Sequence, residues 1–377
     1  MQYNQRALIG WLSHSSFLPK GDVMTALTRS AKRVVVTLSG MALLVAIGLH
    51  AVAGEKQPVR KPKLTAKPGL FKSITNPPCS YCIVQHRKGF IEDNDRAVAW
   101  LRSNHEGGAI PLRHFLAAPR VVNDTYGIFF YDPDGGYVSA FERSKGYKHT
   151  YEFHGWRNGV MVVKGNDGSL VSALSGEIFD GPRKGERLKR IANMVTDWQY
   201  WLKLHPQSVA YRLFDGKKYT LAPLPTKQSQ EAGESMGPVD ARLKAFSNVI
   251  GVTAGGQSKT FPLDDAGEHA VFTDTIDGQP VTVFWYGPTK TAVAFSSRLD
   301  GQQLTLIANK GGDVPFRDKE TGTRWSLAGR GIDGELKGKE LKWVDSIQCH
   351  WYAWSSEYPD TQLHGVTDNT QLRGVTE

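Results

Sequence analysis

An internal repeat limits what this chain can fold into more than any other feature. "SGEIFDGPRKGERLKRI" at 175–191 reappears as "AGRGIDGELKGKELKWV" at 328–344. Asp180, Gly181, Lys184, Gly185 and Leu188 meet Asp333, Gly334, Lys337, Gly338 and Leu341, each a step of 153 residues. The same step carries Trp198, Trp201 and Pro206 onto Trp351, Trp354 and Pro359. Upstream, "AIPL" (109–112) matches "TFPL" (260–263) and "FYDPDGGYVSAF" (130–141) matches "FWYGPTKTAVAF" (284–295), with small changes of spacing. Turn, core and stop residues recurring together predict two copies of one unit of about 130 residues.

Within each copy the pattern is mainly β. "YGIFFY" and "PVTVFWYG" are aromatic and β-branched runs closed by Gly or Pro, and "GVMVVKG" and "QLTLIAN" alternate as short strands. "NDG" (166–168) and "LDGQQ" (299–303) read as hairpin turns. Gly181, Gly185, Gly334 and Gly338 read as structural turns, with an anion cradle of backbone amides as the alternative. A helix is expected after each Gly-rich turn, with Thr196 capping "DWQYWLKLHP" and Ser346 capping "IQCHWYAWSSEYP". Trp198 and Trp201 then share one helix face, as do Trp351 and Trp354. Rings of this size favour core packing; facing a sugar or aromatic ligand is the other use for the four. The expected fold class is mainly β with peripheral helices (α+β), built as a tandem duplicated β-rich domain.

The N-terminus predicts export. Lys32 and Arg33 precede the apolar run 34–49, and Ala51 and Ala53 follow at small-residue positions. Residues 1–53 are therefore a signal peptide or, if uncleaved, an inner-membrane anchor, and the periplasm is the expected compartment. Residues 54–94 form a basic linker and a CxxC segment; 95–222 and 242–365 are the two repeats, joined by a linker at 223–241; 366–377 is a polar tail. Of 377 residues 40% are hydrophobic, enough for folded cores, and the net charge of +9 is spread along the chain rather than collected in one tract. This disfavours nucleic acid as a partner and allows weak attraction to an anionic envelope polymer. Membrane contact is expected only through the N-terminal segment.

The repeat resembles a known family. "FRDKETGTRWSLAGRGIDGELKGKEL" with "WYAWSSEYPDTQL", and "AIPLRHFLAAPRVVNDTYG" in the first copy, are similar to the uncharacterised DUF3179 family. The resemblance covers residues 95–365 and implies an extracytoplasmic habit without a reaction. Where that family carries a CPLCG-like motif, this chain reads "YDPDGG" (131–136) and "YGPTKT" (286–291), neither with a cysteine.

"PPCSYCIVQH" (77–86) holds two of the three cysteines. In an oxidising compartment Cys79 and Cys82 are expected to form a structural disulfide. Thiol–disulfide exchange, or a zinc or copper site using Cys79, Cys82 and His86, are the alternatives. Ile83 directly after the second cysteine argues against covalent haem. No nucleophile elbow, HExxH, P-loop or dinucleotide fingerprint is present, so catalytic residues stay unassigned. The expected function is an exported, non-catalytic binding or assembly protein of the cell envelope, without a cofactor, whose partner is another envelope protein or an anionic polymer. An envelope thiol-redox or metal-handling protein centred on the CxxC, and a polymer hydrolase using acids in the cleft between copies, are the competing readings.

Overall fold

In the first half the chain begins with β1 (Leu64–Ala66), β2 (Ser73–Thr75) and β3 (Ile83–Val84). The hairpin β4 (Arg96–Leu101) and β5 (Gly107–Pro111) follows, then α1 (Leu112–Ala117) and the meander β6 (Val121–Asp124), β7 (Gly127–Asp132) and β8 (Tyr137–Phe141). A second group holds β9 (Tyr151–Arg157), β10 (Val160–Gly165), β11 (Leu170–Ser172) and β12 (Ile178–Asp180). The half closes with β13 (Asn193–Asp197), α2 (Trp198–Leu204) and β14 (Val209–Ala210). A computed structural model describes residues 63–76, 83–84, 91–102, 107–117, 120–143, 146, 148–211, 213, 224–225, 227–309 and 314–365. Cys79, Cys82 and His86, the N-terminal segment and the polar tail lie outside them. No helix among the described residues is long and apolar enough to cross a membrane.

A short helix, α3 (Gln230–Ser235), lies in the stretch expected as a linker; Ser229 caps it by accepting from the Ala232 amide. The second half runs through β15 (Asn248–Ala254), β16 (Gln257–Pro262), β17 (His269–Ile276), β18 (Gln279–Tyr286) and β19 (Thr291–Ser296). Then come β20 (Arg298–Leu299), β21 (Gln302–Gln303), β22 (Leu306–Ala308), β23 (Phe316–Asp318) and β24 (Arg324–Trp325). It ends with β25 (Ser346–His350), α4 (Trp351–Glu357) and β26 (Gln362–Leu363). The chain is mainly β, with few helices and several separate sheets.

The pairing pattern recurs. In the first half β13 and β5 flank β4 antiparallel, and β14 adds parallel to β5. In the second, β25 and β16 flank β15 antiparallel, and β26 adds parallel to β16. The meander β6–β7–β8 corresponds to β17–β18–β19, and β9–β10–β11 to β22–β23–β24, all antiparallel. Asp300 and Gly301, at φ 49° and 86°, form the left-handed two-residue turn between β20 and β21. Gly181, Gly185, Gly334 and Gly338 have φ of 91°, 93°, 73° and 81°, where a side chain is strained.

Thr196 and Ser346 do not cap helices. Both lie in the strands that precede them, and the helices start at Trp198 and Trp351 after Asp197 and His350, without a side-chain cap. The reason is tertiary: residues 193–197 and 346–350 give their backbone groups to β4 and β15. Each helix presents both tryptophans to the interior; Trp198, Trp201, Trp351 and Trp354 are 1%, 2%, 0% and 1% exposed. At such burial the rings are core side chains rather than a surface platform.

The two halves share their cores. Trp351 and Trp354 pack in one cluster with Phe130, Trp156 and Val163 of the first half. Trp198 and Trp201 pack in another with Phe284, Phe295 and Trp325 of the second. Each meander meets the other half's outer strand, β8 against β25 and β19 against β13. The described residues all fall in one compact unit. Each helix therefore covers its own hairpin and also fills the core of the opposite half.

Candidate functional site

The crossed packing brings two equivalent turns, 133–136 after β7 and 287–290 after β18, to one cleft of about 800 Å3. These are the positions at which the chain reads "YDPDGG" and "YGPTKT". The first turn leans on β25, the strand that precedes the other half's tryptophan helix, and the second is bonded by β4 and β25.

The first turn is held from below. Asp132 accepts from the Asp134 amide (3.2 Å) and the Met161 amide (3.3 Å). Asp134 accepts from the Ser229 amide (2.6 Å) and hydroxyl (3.0 Å), which ties the start of α3 to the turn. Arg120 stands 3.7 Å from Asp134 and lies over the Phe71 ring. His350 of β25 donates its amide to Gly135 O (2.8 Å), and its Nδ1 is 3.0 Å from Asp134 O. Gly136 adopts φ 68°, and a Cβ there would fall 2.9 Å from His350 Nε2, so both conformation and space require glycine.

Burial dominates the electrostatics. Asp132 is fully buried, which together with the neighbouring Asp134 charge raises its pKa to about 7. Burial and the Asp132 charge keep the Tyr137 phenol protonated. Burial lowers the His350 pKa and favours neutral imidazole. Asp132 does not line the cleft and has no exposed surface, so a ligand there cannot reach its carboxylate in this arrangement.

The second turn is held by a clamp. Arg96 of β4 donates to Val195 O (3.1 Å), Lys290 O (3.3 Å), Asp197 (3.3 Å) and Thr289 O. Gln348 of β25 donates to Lys290 O (3.1 Å) and accepts from the Ala292 amide (3.1 Å). Arg96 thus ties the two halves along one wall of the cleft. Apolar surface comes from Tyr131, Val138, Leu263 and Trp285. Among the described lining residues the charges balance, with Arg96 and Lys290 against Asp264 and Glu268.

Other residues singled out in the sequence serve the scaffold. The Asn123 amide bonds both backbone groups of Tyr151, at 2.8 and 2.9 Å. Asp124 accepts from the Tyr126 amide and the Tyr211 hydroxyl, both at 3.1 Å. Trp351 and Trp354 direct their indole N–H groups to Asp240 O (2.8 Å) and Thr361 Oγ1 (3.0 Å). Cys349 is buried without a disulfide, and burial pushes its thiol pKa up. Among the described residues no three His, Cys, Asp or Glu side chains are placed to hold a metal ion.

A family model described as a protein of unknown function, DUF3179, matches residues 73–361. The chain belongs to the DUF3179 family. No curated protein and no solved structure matches it. In this DUF3179 protein the matched span covers both turns, the Arg96 clamp and His350. Sequence reasoning missed Arg96, Ser229 and His350, because each acts on a segment about 95 residues or more away; it also missed Arg120, which reaches Asp134 from just before the neighbouring strand β6. The one available signal was the position of "YDPDGG" and "YGPTKT" at matching points of the repeat.

Proposed function

We propose that this DUF3179 protein is an exported, non-catalytic binding protein whose ligand is a polypeptide segment of another envelope protein, held in the cleft between the two turns. The observation that carries the reading is the described lining: an apolar wall that includes Trp285, flanked by Arg96, Lys290, Asp264 and Glu268. A polyanion would meet Asp264 and Glu268, whereas a polypeptide can offer both charges and apolar side chains. The bonding of Asp132 and Asp134 supports a binding role, since their carboxylates already serve the turn and α3. Lys32, Arg33 and the apolar run 34–49 support export.

The test is site-specific photocross-linking in cells expressing the full chain. A benzophenone side chain at Leu224, in the cleft wall, is compared with one at exposed Lys319. A discrete peptide adduct at 224, absent at 319 and lost with Trp285→Ala, is expected. No adduct at 224, or equal adducts at both positions, overturns the reading. Turnover of a cell-wall polymer that Asp264→Asn or Glu268→Gln abolishes would replace binding with hydrolysis.

A further inference from the structure

The two meanders differ at one edge. "VNDT" (122–125) matches "FTDT" (272–275), so Val121, Val122 and Asn123 of β6 correspond to Val271, Phe272 and Thr273 of β17. In the first half β2 lies parallel on the outer edge of β6, with Ser73, Ile74 and Thr75 beside those three residues. The Asn76 amide donates to Asn123 O at 2.8 Å. In the second half β17 ends its sheet, and no described strand lies on its outer edge. Burial follows the difference: all of β6 is buried, whereas in β17 Val271, Phe272 and Asp274 are half-buried and Thr273 is exposed.

That edge presents backbone groups ready for a strand. Asp277 and Gly278, at φ 48° and 72°, make a two-residue turn closed by Ile276 and Gln279. The closing pair of such a turn is hydrogen-bonded, and bonded pairs alternate from it. Phe272 and Asp274 therefore bond to β18, while Val271 and Thr273 turn their N–H and C=O groups outward. Among the described residues no backbone group meets them from that side. Lys259 Nζ takes Thr275 O (3.4 Å), two residues beyond. The chain's own counterpart of β2 is committed elsewhere. The 153-residue step carries 73–75 to 226–228, and around that stretch Leu224 and Pro225 line the cleft while Ser229 is bonded to Asp134.

We propose that the outer edge of β17 is a second polypeptide site, which takes an extended segment of another protein as an added parallel strand. β2 shows the chemistry that fits. Ile74 packs against the core cluster that holds Val122, while Ser73 and Thr75 are exposed. An apolar residue beside Phe272, between small polar ones, extends in the same way the cluster of Val252, Phe261 and Val283, at whose margin Phe272 packs. Main-chain bonds supply the affinity, and the apolar contact fixes the register. A second copy of this chain fits less well, because two-fold pairing of β17 with itself is antiparallel whereas β2 is parallel. None of residues 269–276 lines the cleft, so this site does not rest on the cleft reading and either can fail alone.

The probe is a dye-labelled peptide of this chain's own residues 70–76, LFKSITN, titrated into the purified full-length protein. Saturable binding by fluorescence anisotropy is expected, with hydrogen-exchange protection gained at 269–276. N-methylation of the peptide at the Asn76 position, whose amide meets Thr273 O in this pairing, should weaken binding at least about ten-fold. N-methylation at the Thr75 position, whose amide points away, should leave it unchanged. Lysine at the Ile74 position of the peptide should weaken it as well. Thr273→Pro in the protein removes an outward amide, spares the bonds to β18 and should abolish the protection; the peptide variants test the same pairing on the unaltered protein. No saturable binding, protection gained outside 269–276, or equal losses from the two N-methylated peptides would overturn the proposal. A concentration-dependent dimer that Thr273→Pro breaks would assign the edge to a second copy and overturn it too.

Discussion

Replacing Trp354 by alanine tests the crossed cores directly. The ring is 1% exposed, packs in a cluster with first-half residues and lies against Gly251, where a Cβ would fall 2.2 Å from it. A buried aromatic side chain removes about 150–250 Å2 from water. At about 25 cal/mol per Å2 that is about 4–6 kcal/mol. Loss of the indole bond to Thr361 adds about 1 kcal/mol, although Thr361 keeps Thr260 as a partner at 3.0 Å. Partial collapse of the cavity offsets some of this, so a loss of about 3–5 kcal/mol is expected. Urea denaturation measures the total, and hydrogen exchange read by peptide mass locates it. Because Trp354 fills a core built largely from the first half, β9 and β10 should lose protection together with β15 and β25. Loss confined to residues 248–262 and 346–363, with β9 and β10 unchanged, would refute the shared core.

Asp132 should make stability depend on pH. Its pKa is about 7 folded against 3.8 for a free aspartate, so its contribution is fully present below about pH 4 and is lost as pH rises through about 7. That span corresponds to about 4 kcal/mol; Asp132→Asn should flatten the urea-midpoint profile between pH 4 and 7, and an unchanged slope would count against it. Gly181→Ala should destabilise more than Gly185→Ala: both adopt positive φ, but a Cβ at 181 meets Ser169 Cα at 2.6 Å and one at 185 meets nothing. About 1 kcal/mol is expected at 185 and about 2–3 kcal/mol at 181, by thermal melts; equal losses would show that the contact relaxes. A fusion of residues 1–60 to a reporter active only outside the cytoplasm should be active, and alkylation of the exported protein should find Cys79 and Cys82 protected until reduction. A silent reporter, or free thiols with bound zinc or copper, would count against these expectations.

What the sequence determined by itself was local and repeated. Strands such as Gly127–Asp132 and Gln279–Tyr286 could be read from composition and alternation, since packing on a sheet demands both. Gly181, Gly185, Gly334 and Gly338 could be read as turns because a positive φ selects glycine wherever it occurs. The tryptophan pairs could be read as core because two large rings three residues apart share one helix face. Tertiary structure alone decided which core each pair fills, because the same apolar face suits either half and only the chain path chooses. It also moved the helix starts past Thr196 and Ser346, whose backbone was claimed by β4 and β15. Within "DPDGG", Asp132 and Asp134 are buried. The covering groups His350 and Ser229 arrive from distant segments, and no spacing within the turn records them.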